Sequence, residues 1–115
     1  MTIRFYGLKT CDTCKKAQKA LEAAGVDFRA IDVRADGVAA ENLADWIARV
    51  GADALVNRRS TTWRGLDDAA RAGAETPDGA AALLLANPTL MKRPVIVSGD
   101  DIHVGWTKEA QAALL

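Results

Sequence analysis

Cys11 and Cys14 are the only cysteines among 115 residues, and they stand in the stretch Lys9-Thr-Cys-Asp-Thr-Cys-Lys-Lys16. Two thiols at this spacing suit three chemistries: half of a metal site, a structural disulfide, or a nucleophile with its resolving partner. A structural zinc site takes four ligands, usually as two pairs. Here a single pair is accompanied by one histidine, His103, far along the chain, so no metal is expected unless a dimer completes the set. A disulfide across so short a loop removes little entropy from the unfolded chain. The redox reading is left, and position favours it, because Cys11 follows a strand pattern and opens a helical one. At a helix N-terminus, unpaired backbone N–H groups and the positive end of the dipole stabilise a thiolate. Lys9, Lys15 and Lys16 add cations nearby, and Asp12 opposes them. Such settings bring a cysteine pKa from about 8.5 into the range of roughly 3.5–7.5. Cys11 is therefore expected to be the exposed nucleophile and Cys14 the resolving thiol.

The surrounding elements must hold that pair in place. Residues 2–6 alternate, with Ile3 and Phe5 on one side, and stop at Gly7, which predicts a strand and a loop. From residue 12 the period becomes helical, with Ala17, Ala20, Leu21 and Ala24 on one stripe and Gly25 where a left-handed cap belongs. Residues 28–33 alternate again. Strand, helix and strand in this order predict a βαβ unit with parallel strands. Further on, Leu43, Trp46, Ile47 and Val50 mark a helix over 40–50, and Thr76-Pro77 opens another that ends at Asn87-Pro88. Residues 57–65 between them are polar and loop-like at their start. Pro94 to Val97, a turn at 98–101, and Ile102 to Val104 predict a hairpin, and Thr107 caps a last helix with Ala110, Ala113 and Leu114 inward. Thr10 and Thr13 flank the thiols, either hydrogen-bonding the thiolate or capping its helix, with capping expected of at least one. The sum is an α/β chain of the thioredoxin type: βαβ, a helical insert at about 38–90, then ββα on a mixed sheet. It is expected to form one domain over residues 1–115.

Composition narrows the partners. Apolar residues make up 50%, much of it alanine, and the formal net charge is zero. No global field draws such a chain to nucleic acid or to a membrane surface. The start, Met-Thr-Ile-Arg, lacks a signal-peptide pattern, and no apolar run approaches a membrane span. A monomeric cytoplasmic protein is expected, in a compartment where paired cysteines are seldom structural.

Three separated segments carry a resemblance: FYGLKTCDTCKKAQKALEAAGVDF, NRRSTTWRGLD and LMKRPVIV, in that order. With them the chain resembles the arsenate reductase-related group (ArsC, YffB and Spx-like) of the thioredoxin superfamily. The likeness is strongest to the small YffB-like members and more distant to Spx-type regulators. It implies a thioredoxin-like fold and thiol chemistry at Cys11, with glutathione as co-substrate and no tightly bound cofactor. Arg93-Pro94 resembles the cis-proline step beside the active cysteine of such folds, which leaves backbone groups open to an incoming peptide such as glutathione. Arg93 and one of the pair Arg58-Arg59, with Arg59 favoured, match positions that bind oxyanions in arsenate reductases, for which guanidinium forks are suited. Lys9, Thr10 and Pro94 complete the expected substrate-binding set. Arsenate reductases of this type carry a third arginine in the last strand–helix connection, where this chain has Val104-Gly-Trp-Thr-Lys108. The resemblance thus implies a general thiol reductase acting on glutathione or a small oxidised thiol or oxyanion, with glutaredoxin as a further partner. One rival is an Spx-type redox sensor that binds RNA polymerase. A weaker one is a glutathione- or glutaredoxin-dependent arsenate reductase. Nothing in the pattern assigns a role to Trp106.

Overall fold

The computed structural model describes residues 3–115. The chain divides into two compact units, residues 1–36 with 93–115, and residues 37–92. Residue 2 of the expected first strand lies outside the described residues.

The first unit holds a four-stranded mixed sheet. Strand β1 (Ile3–Gly7) leads through the cysteine loop into helix α1 (Asp12–Ala23), and strand β2 (Phe28–Asp32) returns parallel to β1. Strands β3 (Val95–Ser98) and β4 (Asp101–Val104) form the hairpin, with Gly99 at positive φ in its turn, and helix α7 (Lys108–Leu114) closes the chain. The order across the sheet is β2-β1-β3-β4, and β3 runs antiparallel to β1. This is the α/β, thioredoxin-like arrangement that the order of sequence patterns predicts.

Alternation decides which residues enter the core. Ile3 and Phe5 of β1 and Ile96 of β3 point to one face, where Cys14, Ala17 and Leu21 of α1 and Leu114 of α7 meet them. Phe28 adds an aromatic contact, its ring centroid 5.7 Å from that of Phe5. Helix α1 ends in a Schellman motif: Val26 N–H donates to Leu21 O and Gly25 N–H to Glu22 O, with Gly25 at φ 74°. Val26 then packs back on the cluster that contains Leu21, so one glycine both stops the helix and aims the chain into β2. Helix α7 starts as its sequence predicts, with the Thr107 hydroxyl accepting from Ala110 N–H.

The second unit is helical. Helix α2 (Ala40–Val50) buries Leu43, Trp46 and Ile47 and packs against α6 (Pro77–Ala86), which buries Ala80 and Leu84. Trp46 is 1% exposed and is the largest fully buried side chain of the protein. Between these helices run three short ones: α3 (Ala52–Leu55), α4 (Thr61–Arg64) and α5 (Asp68–Gly73). Each of α4, α5 and α6 has a side-chain cap, from Ser60, Asp67 and Thr76 respectively. A single 3-10 turn (Pro88–Leu90) follows, and a bridge pairs Val56 with Met91. Lys92 N–H donates to Leu55 O at 2.7 Å, tying the end of this unit to its own interior. Among the described residues no helix is long and apolar enough to cross a membrane.

Candidate functional site

Cys11 sits at the N-cap of α1, with extended backbone at φ −86° and ψ 119°. Its N–H donates to Leu8 O at 3.2 Å, which folds the loop tightly, and its own carbonyl accepts the Lys15 N–H of the first turn at 3.0 Å. Position 14 falls two residues inside the helix, so its backbone N–H points towards the N-cap side chain. The Cys11 sulfur is partly buried and Cys14 is fully buried, and both are free thiols.

These placements push the two pKa values apart. Burial alone raises that of Cys11, but the backbone N–H of Cys14, the Cys14 thiol and the Arg93 guanidinium outweigh it, and the net shift is downward. The contact with the Cys14 N–H falls short of a full capping hydrogen bond. Its dipole still favours the anion. Arg93 acts twice, by hydrogen-bonding the Cys11 side chain and by charge. Cys14 goes the other way, pushed up to about 11, first by burial and then by the neighbouring Cys11 charge, against the lowering effect of the Leu8 backbone. One thiol is therefore readied as an anion while the other is kept protonated beneath it.

The slot that holds Cys14 depends on a residue that sequence reasoning treats only as the end of a strand. A Cβ built on Gly7 would lie 2.8 Å from Cys14 Sγ and 2.9 Å from a ring carbon of Phe5. Gly7 has no positive φ, so the missing side chain is a matter of space, not of backbone freedom. The one available signal was a glycine at the last strand position before a Cys-x-x-Cys loop.

The structure corrects two expectations. Neither Thr10 nor Thr13 caps α1, because the cap position is Cys11 itself and no side chain caps the helix by hydrogen bond. The expected cations also differ, because the charge acting on Cys11 is that of Arg93 rather than of Lys9, Lys15 or Lys16. Those three lysines are exposed. Lys9 faces Asp32 instead: its N–H donates to Asp32 Oδ2 at 3.3 Å, and its charge helps to lower the Asp32 pKa, after the Ala35 and Arg34 backbone N–H groups. Lys9 and Asp32 line a groove of about 340 Å³ with Gly7, Leu8, Gln18 and Asp36.

Of the remaining expected residues, Arg93 and Pro94 lie in the same unit as the thiols, joined by a cis peptide bond, and Pro94 is buried. Pro94 O accepts the N–H of Gly105 at 2.8 Å. Arg59 lies in the second unit. There Arg58 is held by Asp53 at 2.9 Å and its guanidinium stacks over the Trp63 ring at 5.3 Å. Arg59 is exposed and, among the described residues, pairs with no carboxylate. Both arginines line a groove of about 310 Å³ with Asp53, Val56, Asn57 and Lys92. Of the two, Arg59 is the one whose guanidinium is not already committed. No group of three or more His, Cys, Asp or Glu side chains is arranged to hold a metal ion among the described residues.

The chain is similar to known proteins. The ArsC family model matches residues 6–114. A protein of Haemophilus influenzae carrying no assigned function is 41% identical over 96% of this chain and 97% of its own length. A global transcriptional regulator of Lactococcus lactis, Spx 2, is 25% identical over 98% of this chain and 86% of its own. Among solved structures, the YFFB protein superposes with a TM-score of 0.92 at 39% identity, covering 99% of each chain. The cysteine loop, its arginine and the mixed sheet that carries them thus belong to a chain that is a member of the ArsC family.

Proposed function

We propose that the protein is a thiol–disulfide oxidoreductase in which Cys11 is the nucleophile and Cys14 the resolving thiol. The observation that carries this reading is the opposed setting of the two sulfurs. Cys11 is partly exposed and lowered in pKa with help from the Arg93 guanidinium, whereas Cys14 is fully buried and raised. The Cys11 thiolate attacks one sulfur of an organic disulfide, forms a mixed disulfide and expels the other half as a thiolate. That step consumes the Cys11 charge, which together with burial keeps Cys14 protonated, so Cys14 gives up its proton more readily, to the expelled thiolate. Its thiolate then attacks Cys11 Sγ, closes the Cys11–Cys14 disulfide and releases the second half of the substrate as thiolate. Two electrons pass from the protein to the substrate. Two equivalents of a low-molecular-weight thiol such as glutathione return them. Glutathione is the co-substrate that family membership suggests, and it can also resolve the mixed disulfide in place of Cys14.

Arg93 serves two roles in this scheme, as the counter-charge of the thiolate and as a fork for an anionic substrate group. For Arg59 the support is its uncommitted guanidinium and its match to an oxyanion-binding position of the family. Pro94, Thr10 and Lys9 complete the proposed substrate contacts. Turnover of a disulfide substrate with glutathione as reductant tests the reading. Activity lost in Cys11→Ser supports it, and activity retained in that variant rejects it.

The likeness to a transcriptional regulator favours a second reading, in which the same pair is a sensor and its disulfide controls a protein contact. RNA polymerase is the partner such a regulator implies. Capture of RNA polymerase that depends on the redox state of Cys14, in a protein without disulfide turnover, distinguishes this reading from the first.

A further inference from the structure

Trp106 is a large aromatic side chain left only partly buried just before α7. Its surroundings fix it. Gly105, at φ 82°, donates its N–H to Pro94 O, the Trp106 carbonyl accepts from Gln111 Nε2 at 3.4 Å, and Thr107 caps the helix that follows. The turn bearing the indole is thus fastened to Pro94, the residue joined by a cis bond to Arg93, whose guanidinium helps to lower the Cys11 pKa. Trp106 and Cys11 also pack, each partly buried, against one cluster that includes Cys14, Ala17, Ile96 and Leu114. A partly buried indole on a braced turn, on the same face of the sheet as the reactive sulfur, offers apolar area at little entropic cost.

We propose that Trp106 is a specificity-determining residue of the thiol site. Its indole contacts the organic chain attached to the substrate sulfur, so that disulfides with a peptide-like body are preferred over short ones. This rests on the reading of Cys11 as the nucleophile. The contact uses the ring face against methylene and amide groups and makes or breaks no bond. The thiolate chemistry itself stays with Cys11, Cys14 and Arg93.

The test measures second-order rate constants for adduct formation on Cys11 in the Cys14→Ser background, where the mixed disulfide accumulates. Two probes are compared: oxidised glutathione, which has a peptide body, and bis(2-hydroxyethyl) disulfide, which is short. The proposal predicts that Trp106→Ala lowers the ratio of the two rate constants by about fivefold to tenfold, the size of an aromatic contact. Trp106→Phe, which keeps a ring, is predicted to hold the ratio within about twofold. General loosening of the fold would slow both probes together, because they meet the same thiolate, and so would leave the ratio unmoved. An unchanged ratio in Trp106→Ala overturns the proposal, as does an equal loss in Trp106→Phe. If no probe forms an adduct on Cys11 even with Trp106 in place, the nucleophile reading itself fails and this proposal falls with it.

Discussion

The Arg93 guanidinium lowers the pKa of the Cys11 thiol at the N-cap of α1, by hydrogen bonding and by charge, although the two residues come from opposite ends of the sequence. The contact follows from topology. Strand β1 delivers the cysteine loop, β3 lies antiparallel beside it, and Arg93 stands two residues before β3 begins. A parallel pair and an antiparallel pair sharing β1 therefore bring a helix N-terminus and a guanidinium to one sulfur.

Removing that guanidinium raises the Cys11 pKa. Arg93→Met retains much of the apolar stem and deletes the charge and the hydrogen bond. Alkylation of Cys11 near neutral pH is predicted to slow severalfold as the thiolate share falls. The pH profile of alkylation measures it directly. An unshifted profile would assign the activation of Cys11 to the helix terminus alone.

Arg59→Ala is predicted to behave differently. The groups that shift Cys11 are Cys14 and Arg93, so this variant keeps the pH profile of alkylation. If Arg59 holds an anionic substrate group, KM rises by about tenfold to a hundredfold, since a charge-assisted hydrogen bond contributes roughly 1.5–3 kcal/mol. An Arg59→Ala enzyme with unchanged KM for an anionic disulfide would remove Arg59 from the site.

Gly7→Ala places a methyl group against Cys14 Sγ and the Phe5 ring. Overpacking of this kind costs about 1–3 kcal/mol, measurable by chemical denaturation. Part of that cost disappears when Cys14 is also replaced by alanine, because the sulfur is the nearest of the atoms in the way. Strictly additive losses in the double variant would show that the slot yields elsewhere.

Stability should respond to pH in opposite senses at the two thiols. Cys11 has a lowered pKa, so its contribution is complete above the ordinary thiol value and is lost as pH falls through its folded value. Cys14 has a raised pKa, so its contribution is complete below the ordinary thiol value and is lost as pH rises to about 11. Under reducing conditions, the stability lost in Cys14→Ala relative to the parent should shrink across that upper window. A constant difference would mean that Cys14 is not held in its neutral form by the fold.

Much of this was legible in the chain itself. The βαβ opening, the glycine stop at Gly25, the α2 stripe of Leu43, Trp46 and Ile47, the Thr76-Pro77 start and the Thr107 cap are local patterns, and each forms as its residues dictate. Helices α3, α4 and α5 were not, since four to six residues give too few repeats for a helical period to show. The thiols were legible from spacing, whereas their electrostatics were not. Nearby lysines suggested the counter-charge, but exposed ammonium groups are screened by water, and the charge that acts is a partly buried guanidinium from the distant segment just before β3. Gly7 was hidden for a similar reason, because the need for an absent side chain appears only once Cys14 and Phe5 are packed against it.

Mass spectrometry after exposure to oxidised glutathione tests the central claim most directly, with the parent protein compared against Cys14→Ser. The account predicts an internal Cys11–Cys14 disulfide in the parent and a lasting glutathione adduct on Cys11 in the variant. An adduct on Cys14, or no reaction of either sulfur, would contradict it.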